Sequence, residues 1–270
     1  MPAAPDLGAI FLAPKCEPRT IHAADSAVYD PEDLRRIHGD GQDRVYAVII
    51  AIGIRTFLFE PFHIPSGSMI PTLLVGDYLF VEKYAYGYSR YSFPFGPNIF
   101  SGRIFGSDPE RGDVVVFKLP RDTSTDYIKR IVGLPGDHIQ MKQGVLWING
   151  QPVKRERIAD YVDENGNVVT RYIETLPNGV SHTILEQQGD TGSLDNTDEF
   201  VIQPGHYFAM GDNRDDSQDS RTSLVGQVPA ENLVGRAAII FFSTDGTAEW
   251  WEFWKWPFAV RYGRLFDLVK

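Results

Sequence analysis

An apolar run at residues 45–59, VYAVIIAIGIRTFLF, separates two parts of the chain that read very differently. Its first ten residues are uninterrupted and helix-compatible. Arg55 and Thr56 then break the run, and Glu60 and Pro61 close it before Phe62. A helix needs about 20 mostly apolar residues to span a bilayer. Residues 45–62 supply 18, with Arg55 and Glu60 among them. On hydropathy alone a buried core helix reads equally well, so flanking charge has to separate the two. Arg35, Arg36 and Arg44 lie in the twenty residues before the run, and the twenty after Phe62 hold no Lys or Arg. That asymmetry makes 45–62 one transmembrane anchor, with the N-terminus cytoplasmic and the rest outside. Arg55 would reach to the outer interface.

Composition narrows the remainder. The 270 residues are 43% hydrophobic and 23% charged, which suits a globular body of one or two domains and excludes a collagen-like or polytopic membrane chain. A net charge of −10 argues against a nucleic-acid binder. A single cysteine, Cys16, excludes an internal disulfide and a cysteine zinc cluster. Residues 1–44 lack a basic-then-apolar secretory signal and read as a cytoplasmic tail, mostly disordered or loosely helical.

After the run, short β-branched and aromatic stretches alternate with Gly, Pro and Asp turns. Strands are predicted at 78–83, 113–118, 127–132, 137–141, 145–148, 206–210 and 235–242. Asn149-Gly150 and Asn165-Gly166 mark tight turns. The predicted fold is mainly β: an antiparallel β-sheet domain over 63–150 and 205–248, preceded by the one transmembrane helix. Residues 151–204, more polar and rich in Asp, Asn and Gly, read as an inserted β-rich subdomain. Four of the five Trp lie between 250 and 256, and residues 249–270 read as an aromatic segment at a membrane interface. The alternative is an aromatic helix packed on the domain itself.

Several chemistries fail on spacing. The six His are scattered and make no HExxH or other metal-ligand pattern. A GxSxG elbow, a P-loop and a dinucleotide fingerprint are all missing. An EF-hand loop starting at Asp215 would put Ser220 where Gly is needed and Gly226 at the bidentate Glu position.

Three segments remain. The first, PSGSMIPTL at 65–73, follows the apolar run directly and by itself reads as a turn. The second, YIKRIVGLPGD at 127–137, places a lysine in an apolar strand. Alternation puts Tyr127, Lys129 and Ile131 on one face. If that face is buried, the pKa of Lys129 must fall. At an unperturbed pKa near 10.4, only about one lysine in a few thousand is neutral at pH 7. Burial can bring it close enough to neutrality to act as a general base, and serine–lysine pairs do the work of Ser-His-Asp. The third, GDNRDDSQDSR at 211–221, mixes two Arg with four Asp and suggests a fixed ion-pair network.

Together these segments resemble the boxes of bacterial type I signal peptidases, membrane-bound serine proteases that remove secretory signal peptides. PSGSMIPTLLVGDYLFVEKYAYG, RGDVVVFKLP, YIKRIVGLPGD and GDNRDDSQDSR occur in the family's order, and the resemblance runs from about residue 45 to 245. Residues 84–110 are similar to a loop of alphaproteobacterial members. The resemblance implies a serine endopeptidase with Ser68 as nucleophile, Lys129 as general base and Ser217 orienting the lysine amine. The Ser68 N–H and the Ser66 side chain would form the oxyanion hole. Asp212 with Arg130, and Asp219 with Arg221, would be structural ion pairs. Ile64, Pro65, Met69, Leu73 and Tyr127 would wall the pocket at the scissile bond. Phe62, Leu79, Val116 and Ile128 would wall the pocket two residues back. Small side chains, as at an A-x-A-like site, would fit.

The implied partners are secretory preproteins and membrane lipids, with no nucleic acid, metal or organic cofactor. The implied location is the bacterial inner membrane, single-pass, with the catalytic domain periplasmic. Asp216 departs from the family's usual Asn. Two other readings stay open: an autocleaving Ser–Lys repressor-type protease, and a non-catalytic membrane-anchored binding module. The missing DNA-binding helix pair counts against the first. The co-occurrence of Ser68, Lys129 and Ser217 counts against the second.

Overall fold

Three consecutive valines mark the centre of the main sheet. The strand Val114–Leu119 (VVVFKL) has no polar residue until Lys118, so it cannot offer one face to water. It is buried on both sides: Val114 and Val116 enter one apolar cluster, while Val115, Phe117 and Leu119 enter another. The computed structural model describes residues 31–93, 96, 100–163, 165–248 and 251–270, with side chains from residue 42 onward. The first thirty residues of the expected tail, five residues of the 84–110 loop and Trp250 lie outside the described residues.

In chain order the strands are β1 (Phe59–His63), β2 (Asp77–Glu82), β3 (Val114–Leu119), β4 (Asp122–Gly133), β5 (His138–Lys142), β6 (Val145–Ile148), β7 (Gln151–Pro152) and β8 (Lys154–Arg157). They continue with β9 (Tyr161–Val162), β10 (Val168–Thr175), β11 (Ser181–Glu186), β12 (Phe200–Val201), β13 (His206–Met210), β14 (Val228–Pro229), β15 (Leu233–Ser243) and β16 (Asp267–Leu268). The main sheet has the order β1-β2-β15-β3-β4-β13-β14, with β16 added to β15. A second sheet runs β11-β10-β8 with β9 on β10, and a third runs β12-β5-β6-β7. The pairings within them are antiparallel. The mainly β expectation therefore holds, and each of the seven predicted strands is present. At the β6–β7 hairpin Asn149 and Gly150 both have positive φ, 53° and 77°, as a tight primed turn requires.

Two apolar clusters fill the two faces of the main sheet. A third joins it to β5 and β6: Val132, Phe208 and Met210 meet Ile139, Met141, Leu146 and Ile148. Long-range pairing of this kind buries enough apolar surface to offset the entropy of ordering the chain.

The chain divides into two units, residues 1–47 and 48–270. The helix α1 runs Pro31–Phe57, and the expected 45–62 anchor needs correcting. The helix stops at Phe57, and Phe59–Phe62 pair with Leu79–Glu82 as part of β1. Pro61 has no N–H to give and is accommodated because β1 is an edge strand. The helical part of the apolar run, Val45–Phe57, is thirteen residues, or roughly 20 Å at 1.5 Å per residue, against about 30 Å of hydrocarbon. Among the described residues no helix is long and apolar enough to cross a membrane. The run is nonetheless exposed, with Val45, Val48, Ile49, Ile50, Ile52 and Ile54 all open to solvent.

At the C-terminus the described aromatic residues form no long helix. A single helical turn, α2 (Trp256–Ala259), precedes β16. Trp251, Phe253, Trp254, Trp256 and Phe258 are exposed. Buried Asp77 secures this segment to the sheet. It accepts hydrogen bonds from Ser243 Oγ (2.6 Å), from the Leu74 N–H (2.8 Å) and from the Arg264 guanidinium (2.6 and 3.1 Å). Asp77→Ala is expected to cost about 3 kcal/mol, because it leaves these donors unmatched. A thermal melt should show a fall of roughly 6–10 °C.

Candidate active site

The segment after β1 cannot lie flat, because Gly67–Met69 forms a 3₁₀ turn with Ser68 at its middle. Met69 packs into the core with Ile64, Leu73 and Leu79. The turn therefore holds Ser68 at the core's edge, 7% exposed. Lys129, on β4, reaches it from the centre of the sheet: its Nζ donates to Ser68 Oγ at 2.6 Å and to the Ile128 carbonyl at 3.0 Å. Ser66 Oγ lies 3.4 Å from Ser68 Oγ.

Lys129 is only 3% exposed. Burial brings its pKa down to about 8, although the negative charges of Asp219, Asp212 and Asp216 pull the other way. About a tenth of such lysines are neutral at pH 7, hundreds of times the fraction for a free lysine.

The loop 211–221 closes the site from the other side. Gly211 is required there: a Cβ would come within 2.3 Å of Ser217 Oγ and 2.5 Å of the Ser68 carbonyl oxygen. The Asn213 N–H donates to that Ser68 carbonyl at 3.1 Å, and Asn213 Nδ2 donates to the Gly67 carbonyl at 3.2 Å. The loop thus grips the serine turn by its backbone. Ser217 is buried, and its hydroxyl has no hydrogen-bond partner. The expected contact from Ser217 to the Lys129 amine is thus not made in this structure, where the amine's hydrogen bonds go to Ser68 and Ile128.

Both expected ion pairs are formed. Arg130 donates in a fork to Asp212 (2.9 and 2.7 Å), and Thr72 Oγ1 adds a bond to the same carboxylate at 2.5 Å. Arg221 forks to Asp219 (2.9 and 2.8 Å). Burial alone would raise both carboxyls, but the facing guanidiniums hold them below the usual carboxylate range. A third buried pair, Arg214 with Glu174, was not legible, because its partners lie 40 residues apart. His182 Nε2 stands 3.3 Å from Glu174 and 3.9 Å from Asp212, so β10 and β11 are tied into the same network.

A cleft of about 650 Å³ opens beside the serine. Phe62, Ile64, Pro65, Val116, Tyr127 and Ile128 line it, as expected, with Ser66, Ser68 and Lys129 at its floor. Met69, Leu73 and Leu79 are corrections. They are fully buried and do not line the cleft, because the 3₁₀ turn rotates Met69 inward and Leu73 and Leu79 face the same cluster. The opposite wall, Ser193, Leu194, Asp215 and Gln218, was not predicted.

A serine hydroxyl in contact with a desolvated lysine amine, on a mainly β chain, is an arrangement suited to a serine hydrolase. Residues 42–242 match the family described as "Signal peptidase, peptidase S26". The chain belongs to that family, and so is a serine peptidase. Among similar proteins, Signal peptidase I of Rickettsia canadensis (strain McKiel) is 46% identical over 215 residues, covering 77% of this chain and 80% of that one. Signal peptidase I of Rickettsia rickettsii (strain Sheila Smith) is 42% identical over 240 residues, covering 82% and 89%. A crystal structure of a signal peptidase I from Enterococcus faecalis V583 aligns at 27% identity over 48% of this chain and 97% of that one, with a TM-score of 0.30. An overlap that low carries no weight for the fold.

The burial of Lys129 makes a signed prediction about stability. Its folded pKa lies below the unfolded value of 10.5, so the charged amine costs the folded state free energy at pH values below about 8. That cost fades between pH 8 and 10.5. Lys129→Met is therefore expected to be more stable than the parent at pH 6, by about 3 kcal/mol if the whole shift is realised. Denaturant titrations at pH 6 and pH 10.5 should show the gap shrink.

Proposed function

We propose that this protein cleaves N-terminal signal peptides from secretory preproteins, after small residues, through a Ser68–Lys129 dyad and an acyl-enzyme. One observation carries the reading: a lysine amine removed from water sits 2.6 Å from the hydroxyl of a serine on the cleft floor. In the first step Ser68 Oγ attacks the scissile carbonyl carbon, and the neutral Lys129 amine takes the hydroxyl proton. The oxyanion forms where the Ser68 N–H and the Ser66 hydroxyl can donate. Collapse breaks the C–N bond. Lys129 returns the proton to the departing amine, leaving an ester on Ser68. Water then attacks the ester carbon and gives a proton to Lys129; the bond to Ser68 Oγ breaks, and Lys129 returns that proton to the serine, releasing the acid and restoring the enzyme. The uncommitted Ser217 hydroxyl is the group that would orient the amine once Ser68 is acylated.

Selectivity follows from shape. Ile64, Pro65 and Tyr127 form a shallow apolar wall next to Ser68, and Phe62, Val116 and Ile128 form the next one. A substrate extended along β1 would present alternate side chains to these walls. Small residues fit and large ones clash.

The exposed apolar stretch Val45–Leu58, together with exposed Trp251, Phe253, Trp254 and Trp256, supports association with membrane lipids. The charge asymmetry around the apolar stretch supports a bacterial inner-membrane location, with a cytoplasmic N-terminus and a periplasmic catalytic body. The same reading divides that body into a catalytic β domain (63–150 and 205–248) and an inserted subdomain (151–204).

Cleavage of a preprotein by detergent-solubilised full chain tests the mechanism. Ser68→Ala and Lys129→Ala should each lose roughly 10³-fold or more in kcat. Full activity in either variant would sink the dyad. Activity of the parent should climb about tenfold per pH unit from pH 5 toward a plateau above about 8, as Lys129 loses its proton. A flat profile between pH 5 and 9 would exclude a titrating lysine base.

A further inference from the structure

At the unpredicted wall of the cleft, and just behind it, lie three carboxylates that the reaction does not use. Glu186 ends β11, Asp195 follows the wall residues Ser193 and Leu194, and Asp215 belongs to the loop that carries Ser217. One oxygen of each lies within 4.8 Å of the others. Two oxygens bound to one calcium ion at about 2.4 Å can be at most about 4.8 Å apart, so the spacing admits a shared ion.

Clustering alone would mean little, but the bonding around these groups is incomplete. Glu186 is 1% exposed, and neither of its side-chain oxygens has a hydrogen-bond partner. Asp195 is fully buried; its Oδ2 accepts from the Gly192 N–H at 2.5 Å, while Oδ1 has no partner. Asp215 is half-buried, with Oδ2 accepting from the Gln188 N–H at 2.7 Å. A buried carboxylate without hydrogen bonds costs the fold several kcal/mol unless something positive faces it.

The nearby guanidiniums make no hydrogen bond to these three carboxylates, although Arg214 Nε and Arg221 Nη1 are themselves without a partner. Arg155 stands 3.9 Å from Glu186 and gives its hydrogen bonds to the Gly144 carbonyl and Asp190. Arg214 is held by Glu174, and Arg221 by Asp219. Gly192 lets the backbone pass close to the cluster: a Cβ there would come within 2.4 Å of Asp215 Oδ1 and 3.0 Å of Asp195 Oδ2.

We propose that Glu186, Asp195 and Asp215 bind one calcium ion, which clamps the 189–195 loop and the 211–221 loop to β11. The donors are all hard oxygens, with no His or Cys, which excludes a preference for zinc or copper. Three ligands from irregular loops suit calcium, which accepts loose geometry, better than magnesium, which demands a near-ideal octahedron. The half-buried side of Asp215 leaves space for waters to complete the shell. The EF-hand spacing excluded from the sequence is not needed, because the ligands come from three separate segments.

The test uses the full chain in detergent, stripped with EDTA and returned to millimolar calcium. The melting temperature should rise by about 5 °C or more. Terbium luminescence sensitised by the protein should appear and be displaced by calcium. Glu186→Gln keeps the shape of the side chain and removes its charge. It should abolish both responses without lowering the cation-free melting temperature. Asp195→Asn, read by terbium, gives a second independent variant should the first not fold. The proposal is overturned if the parent shows neither response, or if both variants retain them. An equally large thermal shift with magnesium would overturn the choice of calcium. These readouts need no turnover, so they stand or fall separately from the peptidase reading.

Discussion

Arg130 and Asp212 hold the site together from beneath. Both are essentially without solvent contact, at 0% and 1% exposure, and they face each other through a two-bond fork. Breaking such a pair strands a charge in the interior, a loss of about 3–5 kcal/mol. The fork joins β4, which carries Lys129, to the loop that carries Ser217. Arg130 extends the tie further, donating to the Gly112 carbonyl at 2.7 Å and to the Lys270 carbonyl at 3.0 Å. Strand, loop and chain end are thereby fixed to one guanidinium. Its neighbour in sequence, Lys129, owes its lowered pKa to burial, with Arg221 adding to that effect and Asp219, Asp212 and Asp216 opposing it.

The same economy runs through the buried polar network. Arg221 faces Asp219, and Arg214 faces Glu174, each at 1% side-chain exposure or less. Ion pairs this deep contribute little net stability against a well-packed apolar alternative. Their value is positional. Each fork allows one geometry, and together they fix where the backbone of 211–221 passes the serine turn. The 211–221 loop has no regular secondary structure of its own, so its path depends on these forks.

Much of the fold was legible because apolar strands announce themselves. VVVFKL and GRAAIIFF admit few readings, and β3 and β15 fall where they were expected. The failures have physical causes. Phe59–Phe62 continues an apolar run, so hydropathy extended the helix into it, whereas the edge of β2 captures it as a strand. In β10 and β11 the buried positions include Glu174, His182 and Glu186, charges that look like solvent-facing residues until their partners are known. At the site, resemblance placed Ser68 beside Lys129 although 61 residues separate them. It also placed Met69, Leu73 and Leu79 on a pocket wall, but the 3₁₀ turn points Met69 into the core, and Leu73 and Leu79 face the same apolar cluster.

That turn has a wider consequence. Ser68 lies between a glycine and a methionine with no exposed surface, and two backbone carbonyls of its turn, those of Gly67 and Ser68, are hydrogen-bonded across to Asn213. The serine has no hinge of its own. On the proposed reading it could not swing out to meet a poorly placed bond, so the chain to be cut would do all the adjusting. Extended segments would satisfy that demand, and folded proteins would not. Immobility at one residue would then work as a filter without any surface built to reject folded chains.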